Sequence, residues 1–391
     1  MKFLLIYVPN LRFSQFIEPW NNYIVSELLT TFPTNSLSWD QLVENQDSSL
    51  KNLHYGLIHN GFETTCITGE NQLFPYIKHS FIPTKYALIQ NGDLILADAS
   101  EDRKDVGRPV EMLDIGNQKI VSGLHTIHAR NKTDLIVNGF KGFYFQSSAM
   151  KQQIFKIANG SKIYGISSSA FSELKMFIPE KQEQKKIVDL MIKIEERIQT
   201  QSKIIDRLYS QIKYIKGQIL NMTTITETKP LGQLCNISTG KRDANEMKSN
   251  GSYKFFTCSK DDYCIDTYSF DGEALIISGN GELGLIKYYN GKFDAYQRTY
   301  VLQNFKCHPK YLMYVLQNKL PKKIEKEKNV GAMPYIVLKT LTSINIDILN
   351  MHDQIKIVNI LNKFEEKLEN DRMLLELFEK EKSFLLKNLF V

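Results

Sequence analysis

The sequence predicts a mixed α/β (α+β) fold in which two similar globular domains are separated by two long antiparallel helices forming a coiled coil. The first observation is an internal repeat without gaps: residues 183–188 and 193–198 recur 170 positions later, at 353–358 and 363–368. The second is an apolar seam in both copies, spaced at alternating steps of four and three, as in a coiled coil. The third is that a large segment precedes each copy. Because each helix leaves one domain for the other, paired helices would be antiparallel, with the halves related by an approximate two-fold axis.

The seam defines the residues that we predict to pair the helices. In the first copy they are Ile187, Met191, Ile194, Ile198, Ile205, Leu208, Ile212 and Ile215, with Ile219 continuing the pattern. In the second copy they are Ile357, Leu361, Phe364, Leu368, Leu375, Phe378 and Leu385, followed by Leu389. Gln201 and Asp371 interrupt the two seams at the same repeat position, and Lys382 interrupts the second again. Polar seam residues often fix register or partner at some cost in stability.

The repeat divides the chain into domain 1–178, helix and linker 179–225, domain 226–349 and helix 350–391. Pro179 is predicted to open the first helix, with Glu180 and Glu183 near its positive end. Asn350 is a predicted N-cap for the second helix, with Asp353 at the third helical position.

Within the domains, similar elements recur in the same order. In the first domain, 87–97 is predicted as strand, Asn-Gly turn and strand, 119–128 as a strand and 149–158 as a helix. In the second, 271–277 and 294–302 are predicted strands, followed by a helix bearing Tyr311 and Leu312. Each domain ends with a glycine closely followed by a tyrosine, Gly160 with Tyr164 and Gly331 with Tyr335.

Composition narrows the class of protein. A chain of 391 residues accommodates two domains, each with its own core. The apolar opening at residues 3–8 is too short for a signal peptide, and no transmembrane segment is predicted. Five cysteines without a C-x-x-C pair indicate reduced thiols, and hence a cytoplasmic location. The net charge of +6 permits a nucleic-acid partner without requiring one.

Several segments together resemble one family. They are residues 178–187, 351–357 and 231–241, with 97–102 through 121–128 resembling one recurrent type of target-recognition domain. The chain resembles the specificity (S) subunit of type I DNA restriction–modification systems over nearly its whole length. The second helix lacks the Ile-Pro-Glu entry of the first and has Leu349-Asn350-Met351 instead, which leaves its starting residue open.

The resemblance implies two target-recognition domains, each reading half of a bipartite site in double-stranded DNA, with the helices setting the spacing between halves. Two methyltransferase (M) subunits and the restriction/translocase (R) subunits would be its partners. S-adenosylmethionine, ATP and Mg would be bound only by those partners, and this chain would hold no cofactor or metal. Since the two domains differ in sequence, the expected DNA site is asymmetric.

Some motifs allow other interpretations. Residues 279–284 match a dinucleotide-binding pattern, but a strand and turn follow them rather than a helix, which favours a glycine-rich hairpin loop near DNA. His125 and His128 would lie on opposite faces of a strand and so would not share a metal ion, and His54 and His59 add only a weak case. With neither an Asn-Pro-Pro-Tyr/Phe motif nor a Walker motif, the chain is expected to be non-catalytic. The alternative function is a coiled-coil scaffold for protein partners without sequence-specific DNA binding.

Arginine, asparagine and glutamine suit base edges, while lysine more often holds phosphate. The predicted DNA-binding residues of the first domain are Arg103, Lys104, Arg108, His125, Arg130, Lys162 and Tyr164. Those of the second domain are Lys241, Arg242, Lys260, Asn280, Gln297, Arg298 and Tyr335. Residues 123–126 lie roughly where 296–299 lie in the other half, so His125 would correspond to Arg298. An uninvolved, solvated side chain remains the alternative for each of them.

Overall fold

The structure, a computed structural model, describes residues 7–62, 64–68, 74–218, 225–327 and 335–391. The chain forms two compact units. Unit 1 comprises Met1–Lys203 with Met373–Val391, and unit 2 comprises Ile204–Arg372. Each unit therefore contains one globular domain together with a part of each long helix.

Unit 1 contains thirteen of the described strands and the first five helices. The strands are β1 (Asn21–Ile24), β2 (Leu29–Phe32), β3 (Leu42–Val43), β4 (Lys51–Leu53), β5 (Cys66–Thr68), β6 (Tyr76–Ile77), β7 (Leu94–Ala97), β8 (Ala99–Ser100), β9 (Pro109–Asp114), β10 (Ile120–Ser122), β11 (Thr126–Asn131), β12 (Tyr164–Gly165) and β13 (Lys175–Ile178). The helices are α1 (Val25–Leu28), α2 (Tyr55–Asn60), α3 (Phe140–Gln146), α4 (Ser148–Ile157) and α5 (Ser168–Ser172). The long helix α6 (Lys181–Gln218) starts in this unit.

Unit 2 repeats this plan with fewer strands. Its described strands are β14 (Ile225–Pro230), β15 (Asn236–Thr239), β16 (Tyr253–Phe256), β17 (Tyr263–Ile265), β18 (Glu273–Ser278), β19 (Ile286–Asn290), β20 (Phe293–Ala295), β21 (Thr299–Gln303) and β22 (Asn345–Leu349). Its helices are α7 (Pro309–Glu327) and α8 (Leu338–Thr342), and the long helix α9 (Met351–Asn388) starts in this unit.

The two units share a sheet topology. In unit 1 the main sheet has the order β2-β11-β7-β9-β5, and in unit 2 it has the order β15-β21-β18-β19. A second sheet contains β10-β4-β6-β3 in unit 1 and β17-β16-β20 in unit 2, and each contains one parallel pair, β4 with β10 and β16 with β20. A two-stranded ladder, β1 with β13 and β14 with β22, closes each domain before its long helix. The predicted mixed α/β fold with two similar domains is confirmed.

The central strand of unit 1 shows why its residues form a strand. The run Leu94–Ala97 is completely buried, with Leu94 and Leu96 in one core cluster and Ile95 and Ala97 in another. A continuous apolar run suits a strand that is covered on both faces, because alternate side chains point to opposite sides. The predicted strand before the Asn91-Gly92 turn does not form, since Leu88 makes only an isolated bridge to Val121.

The segments 119–128 and 294–302, each predicted as one strand, are each two strands joined by a three-residue turn. In both units the earlier strand, β10 or β20, belongs to the second sheet, and the later strand, β11 or β21, belongs to the main sheet. The turn contains His125 at a φ of 53° in unit 1. In unit 2 it is closed by the backbone N–H of Thr299, which donates to the carbonyl of Tyr296 at 2.8 Å. Hydrophobicity alone did not reveal these breaks, because buried strands continue on either side of each turn.

The long helices start close to the predicted residues. Helix α6 begins at Lys181, after Pro179 and Glu180. The predicted cap of α9 is confirmed: Oδ1 of Asn350 accepts from the backbone N–H of Asp353 at 2.9 Å, and its Nδ2 donates to the Asp353 carboxylate at 2.9 Å.

Each unit packs a part of α6 against a part of α9. In unit 1, Ile187, Met191 and Ile194 share one core cluster with Leu385 and Leu389. In unit 2, Lys216 forms a 3.1 Å ion pair with Glu365. The first half of α6 thus meets the last half of α9, and the last half of α6 meets the first half of α9, which is the order of an antiparallel pair.

All the predicted helix-pairing residues are buried or half-buried. Ile219 lies outside the described residues. Within the described part of the chain, no helix is long and apolar enough to span a membrane.

Candidate nucleic-acid interface

In unit 2, five segments meet where the main sheet ends, and we call them the unit 2 loop cluster: residues 240–243, 257–262, 279–285, 296–298 and 335–336. Backbone hydrogen bonds join them. Gly279 N–H donates to the carbonyl of Arg298 at 3.0 Å, and Ile336 N–H donates to that of Gly279 at 2.9 Å. Glu282 N–H donates to the carbonyl of Cys258 at 3.0 Å, and Gln297 N–H donates to that of Arg242 at 3.0 Å. The cluster therefore gathers all seven residues predicted from the second domain.

Two of these seven side chains are committed within the cluster. The Arg242 guanidinium donates to Asp294 at 3.1 Å, Glu246 at 3.2 Å and Thr267 at 2.9 Å. The hydrogen bond to Asp294, which is fully buried, raises the pKa of Arg242 above its ordinary value. Gln297 donates through Nε2 to the Asp243 carboxylate at 3.0 Å. These contacts shape the loops, so Arg242 and Gln297 have fewer donors left for a ligand.

The other side chains are more open. Arg298 is exposed and Tyr335 is 67% exposed, and with Gln297 they line a cleft of about 350 Å³. Lys260 is also exposed, with its Nζ 3.6 Å from the Glu282 carboxylate, a weak surface pair. Lys241 is exposed and Asn280 half-buried. The exposed donors and the aromatic ring are the groups that contact base edges and phosphates in protein–DNA complexes.

The glycine-rich segment is the predicted hairpin loop and does not open a helix. It connects β18 to β19, which pair antiparallel, and Gly281 and Gly284 have φ values of 59° and 79°. Such values favour glycine, which has no Cβ atom. With a strand after it, the loop lacks the helix N-terminus that a dinucleotide-binding site requires.

Unit 1 builds an equivalent cluster on a different sequence. Asp98 N–H donates to the carbonyl of His125 at 3.0 Å, and Ile166 N–H donates to that of Asp98 at 2.9 Å. These bonds match those from Gly279 to Arg298 and from Ile336 to Gly279. The structure thus places His125 in the backbone position of Arg298, as the sequence comparison predicted. By the same match, Tyr335 in unit 2 is equivalent to Gly165 in unit 1, one residue after Tyr164. Gly331, the glycine predicted to precede Tyr335 in the repeat, lies outside the described residues.

His125 presents an imidazole at the surface of this cluster. Its side chain is 49% exposed, its Nδ1 lies 3.3 Å from the Asp98 carboxylate, and its ring meets the Tyr55 ring edge-on at 5.3 Å. Burial raises the pKa of the Asp98 carboxyl, and the nearby His125 opposes that rise. The imidazole can donate or accept, so this position offers chemistry unlike that of the guanidinium in unit 2.

The remaining residues predicted from the first domain do not all come together. Arg103 stacks on the Phe155 ring at 4.3 Å and donates to the carbonyl of Ala158 at 3.2 Å. Arg108 donates to the carbonyl of His59 at 2.8 Å. Both guanidiniums are thus occupied by contacts within unit 1, whereas Lys104 and Lys162 are exposed and Tyr164 is half-buried.

Arg130 lies at the opposite end of β11 from His125, roughly 16 Å away along an extended strand. Its guanidinium grips the buried Asp93 carboxylate with two bonds of 2.7 Å and donates to the carbonyl of Leu88 at 2.8 Å. The structure therefore separates Arg130 from the loop cluster and occupies its donors.

Three residues that were not predicted from the sequence contact a predicted DNA-binding residue or are equivalent to one in the other unit. Asn35 N–H donates to the carbonyl of Ser122 at 3.0 Å, the contact that Arg242 makes with Ala295 in unit 2, so Asn35 is the counterpart of Arg242. Tyr55 and Asp98, which flank His125, were also missed. Nothing in the sequence around Asn35 signals this role. Asp98 lay inside a segment that carried the family resemblance.

The histidines show no metal-binding arrangement: among the described residues there is no group of three or more His, Cys, Asp or Glu side chains placed to hold an ion. His54 instead caps α2, where Nδ1 accepts from the backbone N–H of Gly56 at 3.1 Å. Burial, with a smaller contribution from His125, lowers the pKa of His54 to about 4. His128 is completely buried, with Nε2 2.6 Å from the Asp93 carboxylate.

Comparisons with known proteins place this architecture. The profile of the family described as Type I restriction modification DNA specificity domain matches residues 77–210 and 226–377. The chain belongs to this family, and the two matched segments correspond to its two halves.

Particular relatives agree. The chain is 35% identical over 150 residues to the Type I restriction enzyme EcoDI specificity subunit of Escherichia coli, a match that covers 38% of this chain and 33% of that subunit. The chain thus spans about a third of the length of this relative. Its fold is similar to the S subunit of a type I restriction–modification system from M. genitalium (TM-score 0.64, 16% identity, 98% of this chain and 99% of that one). It is also similar to a chain from a structure concerned with complex assembly and conformational transition of the type I R-M system (TM-score 0.56, 14% identity, 94% and 96%).

Proposed function

We propose that this chain is the DNA sequence-specificity subunit of a type I restriction–modification complex and that it recognises an asymmetric bipartite site. The observation that carries the proposal is the pair of loop clusters. Both are built from the same backbone connections, yet they present different side chains, with His125 in one and Arg298 in the other. Two loop clusters with the same backbone connections but different side chains would select two different half-sites.

The division of labour follows from the groups on each loop. Exposed lysines such as Lys104 and Lys241 would hold phosphates and position each unit on the duplex, because an ammonium group is a flexible point charge. Forked or planar groups at the turns would contact base edges in the major groove. Affinity would fall steeply with salt, while the selected sequence would not change.

The chain itself would be non-catalytic. Two M subunits would dock on the helices and carry out methylation with S-adenosylmethionine, and R subunits would add ATP- and Mg-dependent cleavage. The family membership and the structural likeness to a chain from a type I R-M complex support these partners.

The test is to express the chain with the methyltransferase (M) subunit of a type I system from the same organism and to sequence the host DNA by a method that detects methylation. We expect one methylated motif with two unlike half-sites around an unread spacer. The same methyltransferase without this chain is the control and should leave that motif unmethylated. Replacing residues 1–178 with the corresponding domain of another family member should change one half-site alone. Methylation without a motif, as expected for a scaffold, or a change in both half-sites would contradict the proposal.

A further inference from the structure

Arg298 differs from the other arginine of the unit 2 loop cluster. Arg242 spends its donors on Asp294, Glu246 and Thr267. By contrast, the exposed Arg298 guanidinium makes no hydrogen bond or ion pair to any residue that the structure describes. None of the described residues accepts from its five N–H donors, so the guanidinium is available to an external ligand.

Hydrogen bonds fix the backbone of Arg298. The carbonyl of Arg298 accepts from the backbone N–H of Gly279 at 3.0 Å and from the Cys258 thiol at 3.3 Å. The next residue, Thr299, is completely buried and starts β21. A side chain whose backbone is fixed at the end of a strand is well placed to recognise DNA. Recognition requires the interacting group to be held within a fraction of an ångström of its productive position.

The cleft beside Arg298 is large enough for the flat edge of a base to reach the guanidinium. Arg298 lines the cleft of about 350 Å³ together with Gln297 and the exposed ring of Tyr335. Gln297 is held by Asp243, and the exposed Lys241 and Lys260 lie on other loops of the cluster. Among the described residues of this surface, no acceptor competes for the fork-shaped guanidinium of Arg298.

We infer that Arg298 reads a guanine in the half-site selected by unit 2. The guanidinium presents two parallel N–H donors, which match the O6 and N7 acceptors that guanine displays in the major groove. The inference rests on the proposed function and adds to it a base, a residue and a half-site. A phosphate contact is the competing role for an exposed arginine, and it would carry no sequence information.

The variants Arg298→Lys and Arg298→Ala separate the two roles. Lysine keeps the positive charge and so keeps a phosphate contact, but it loses the paired fork. Each variant is expressed with the methyltransferase subunit, and the methylated motif is determined from host DNA. Arg207→Lys, an exposed arginine on α6 outside the loop cluster, is the matched control and should leave the motif unchanged.

For both Arg298 variants we expect the preference for guanine at one position of one half-site to fall roughly 10-fold or more, with the other half-site intact. An unchanged motif would overturn the inference while leaving the proposed function in place. The same would hold if Arg298→Ala weakened methylation at all sites equally and Arg298→Lys restored it, since that is the behaviour of a phosphate contact. A wild-type chain that directs no motif would instead overturn the proposed function.

Discussion

At the scale of single residues, Glu111 is a completely buried carboxylate surrounded by donors. It lies 2.9 Å from the Nζ of the equally buried Lys141 and accepts from the backbone N–H groups of Gly139 at 2.8 Å and Gly142 at 2.7 Å. Strand β9 carries Glu111 and helix α3 carries Lys141, so the ion pair joins the sheet to the helix. The ion pair itself adds little net stability. Removing one partner is costly, however, because the other charge would remain buried without a counter-ion or water.

We therefore expect Glu111→Gln to destabilise unit 1 by about 3–5 kcal/mol, since Lys141 would keep a buried charge without a counter-ion. Urea denaturation followed by tryptophan fluorescence measures this, because both tryptophans, Trp20 and Trp39, lie in unit 1. The control is Asp134→Asn, which removes the surface pair with Lys181, where Asp134 is 96% exposed. Equal urea midpoints for the two variants would refute the prediction.

His54 gives a prediction about pH. Its pKa is about 4 in the folded protein, against an ordinary value of 6.5, so between these pH values the unfolded chain binds a proton that the folded chain does not. Stability therefore rises with pH across this window and is lost as pH falls through it. Protonation would also remove the acceptor that caps α2.

We expect the urea midpoint of unit 1 to drop between pH 7 and pH 5 and to drop less in His54→Asn, which keeps a capping acceptor without the titration. Fluorescence again reports it, since the Trp39 ring lies 4.5 Å from that of His54. His79→Asn, at an exposed histidine, is the comparison variant and should follow the wild type. If His54→Asn shows the full wild-type pH dependence, His54 is not the group responsible.

At the scale of elements, the polar seam residue Lys382 joins α9 to α6 by a specific contact. Its Nζ donates at 2.7 Å to Glu195, which is almost fully buried. Glu195 also accepts from the backbone N–H of Thr65 at 3.0 Å and from its hydroxyl at 2.8 Å. The polar interruption of the heptad therefore joins α9, α6 and the segment before β5, and we expect it to form in one register of the two helices only.

Lys382→Leu would complete the apolar seam, yet we expect it to destabilise unit 1 by roughly 3 kcal/mol, because Glu195 would remain buried without its cation. Adding Glu195→Gln should recover part of the loss, since a neutral amide keeps an acceptor for Thr65. Urea denaturation of the wild type, both single variants and the double variant completes the cycle. A more stable Lys382→Leu protein would show that seam packing outweighs the ion pair.

The elements also show what a sequence can reveal about this fold. The long helices were predictable because the heptad pattern repeats many times and the Asn350 cap is a local contact between close neighbours. The breaks at His125 and at Arg298 were not, because strand pairing in two different sheets is a long-range property. Apolar runs mark burial, but they do not tell which sheet each half of the run joins.

The same reasoning applies to the candidate site. Correspondence between the halves was visible because residues 123–126 and 296–299 occupy similar positions in the two halves and both end in a threonine. Which arginines stay free was not visible, since Arg130 is occupied by Asp93, and Arg242 by Asp294, through contacts between distant segments. Composition predicts which side chains can bind DNA, and the fold decides which of them remain available.

At the scale of the whole molecule, both long helices extend through the two units. Helix α6 passes from unit 1 into unit 2 near Lys203, and α9 passes back near Arg372. Under the proposed function, the length of the two helices at these crossing points sets the distance between the two loop clusters. That distance in turn sets the number of unread base pairs between the half-sites.

Inserting one heptad after Lys203 and one after Arg372 should therefore lengthen the unread spacer by about three base pairs. Seven residues add roughly 10 Å of helix, and a base pair occupies ~3.4 Å along B-DNA. A heptad also preserves the phase of the seam, so the pairing faces stay opposed. Both half-sites should stay the same, because neither loop cluster is touched.

The measurement is the methylated motif of the host after expression with the methyltransferase subunit. The control replaces seven exposed residues of the same helices with alanine without insertion, which should leave the spacing as in the wild type. Insertion of two residues into each helix should abolish methylation, because two residues rotate the seam by roughly 200°, about half a turn, and so point it away from its partner. If the heptad variant methylates sites with the original spacing, helix length does not determine the distance between the half-sites.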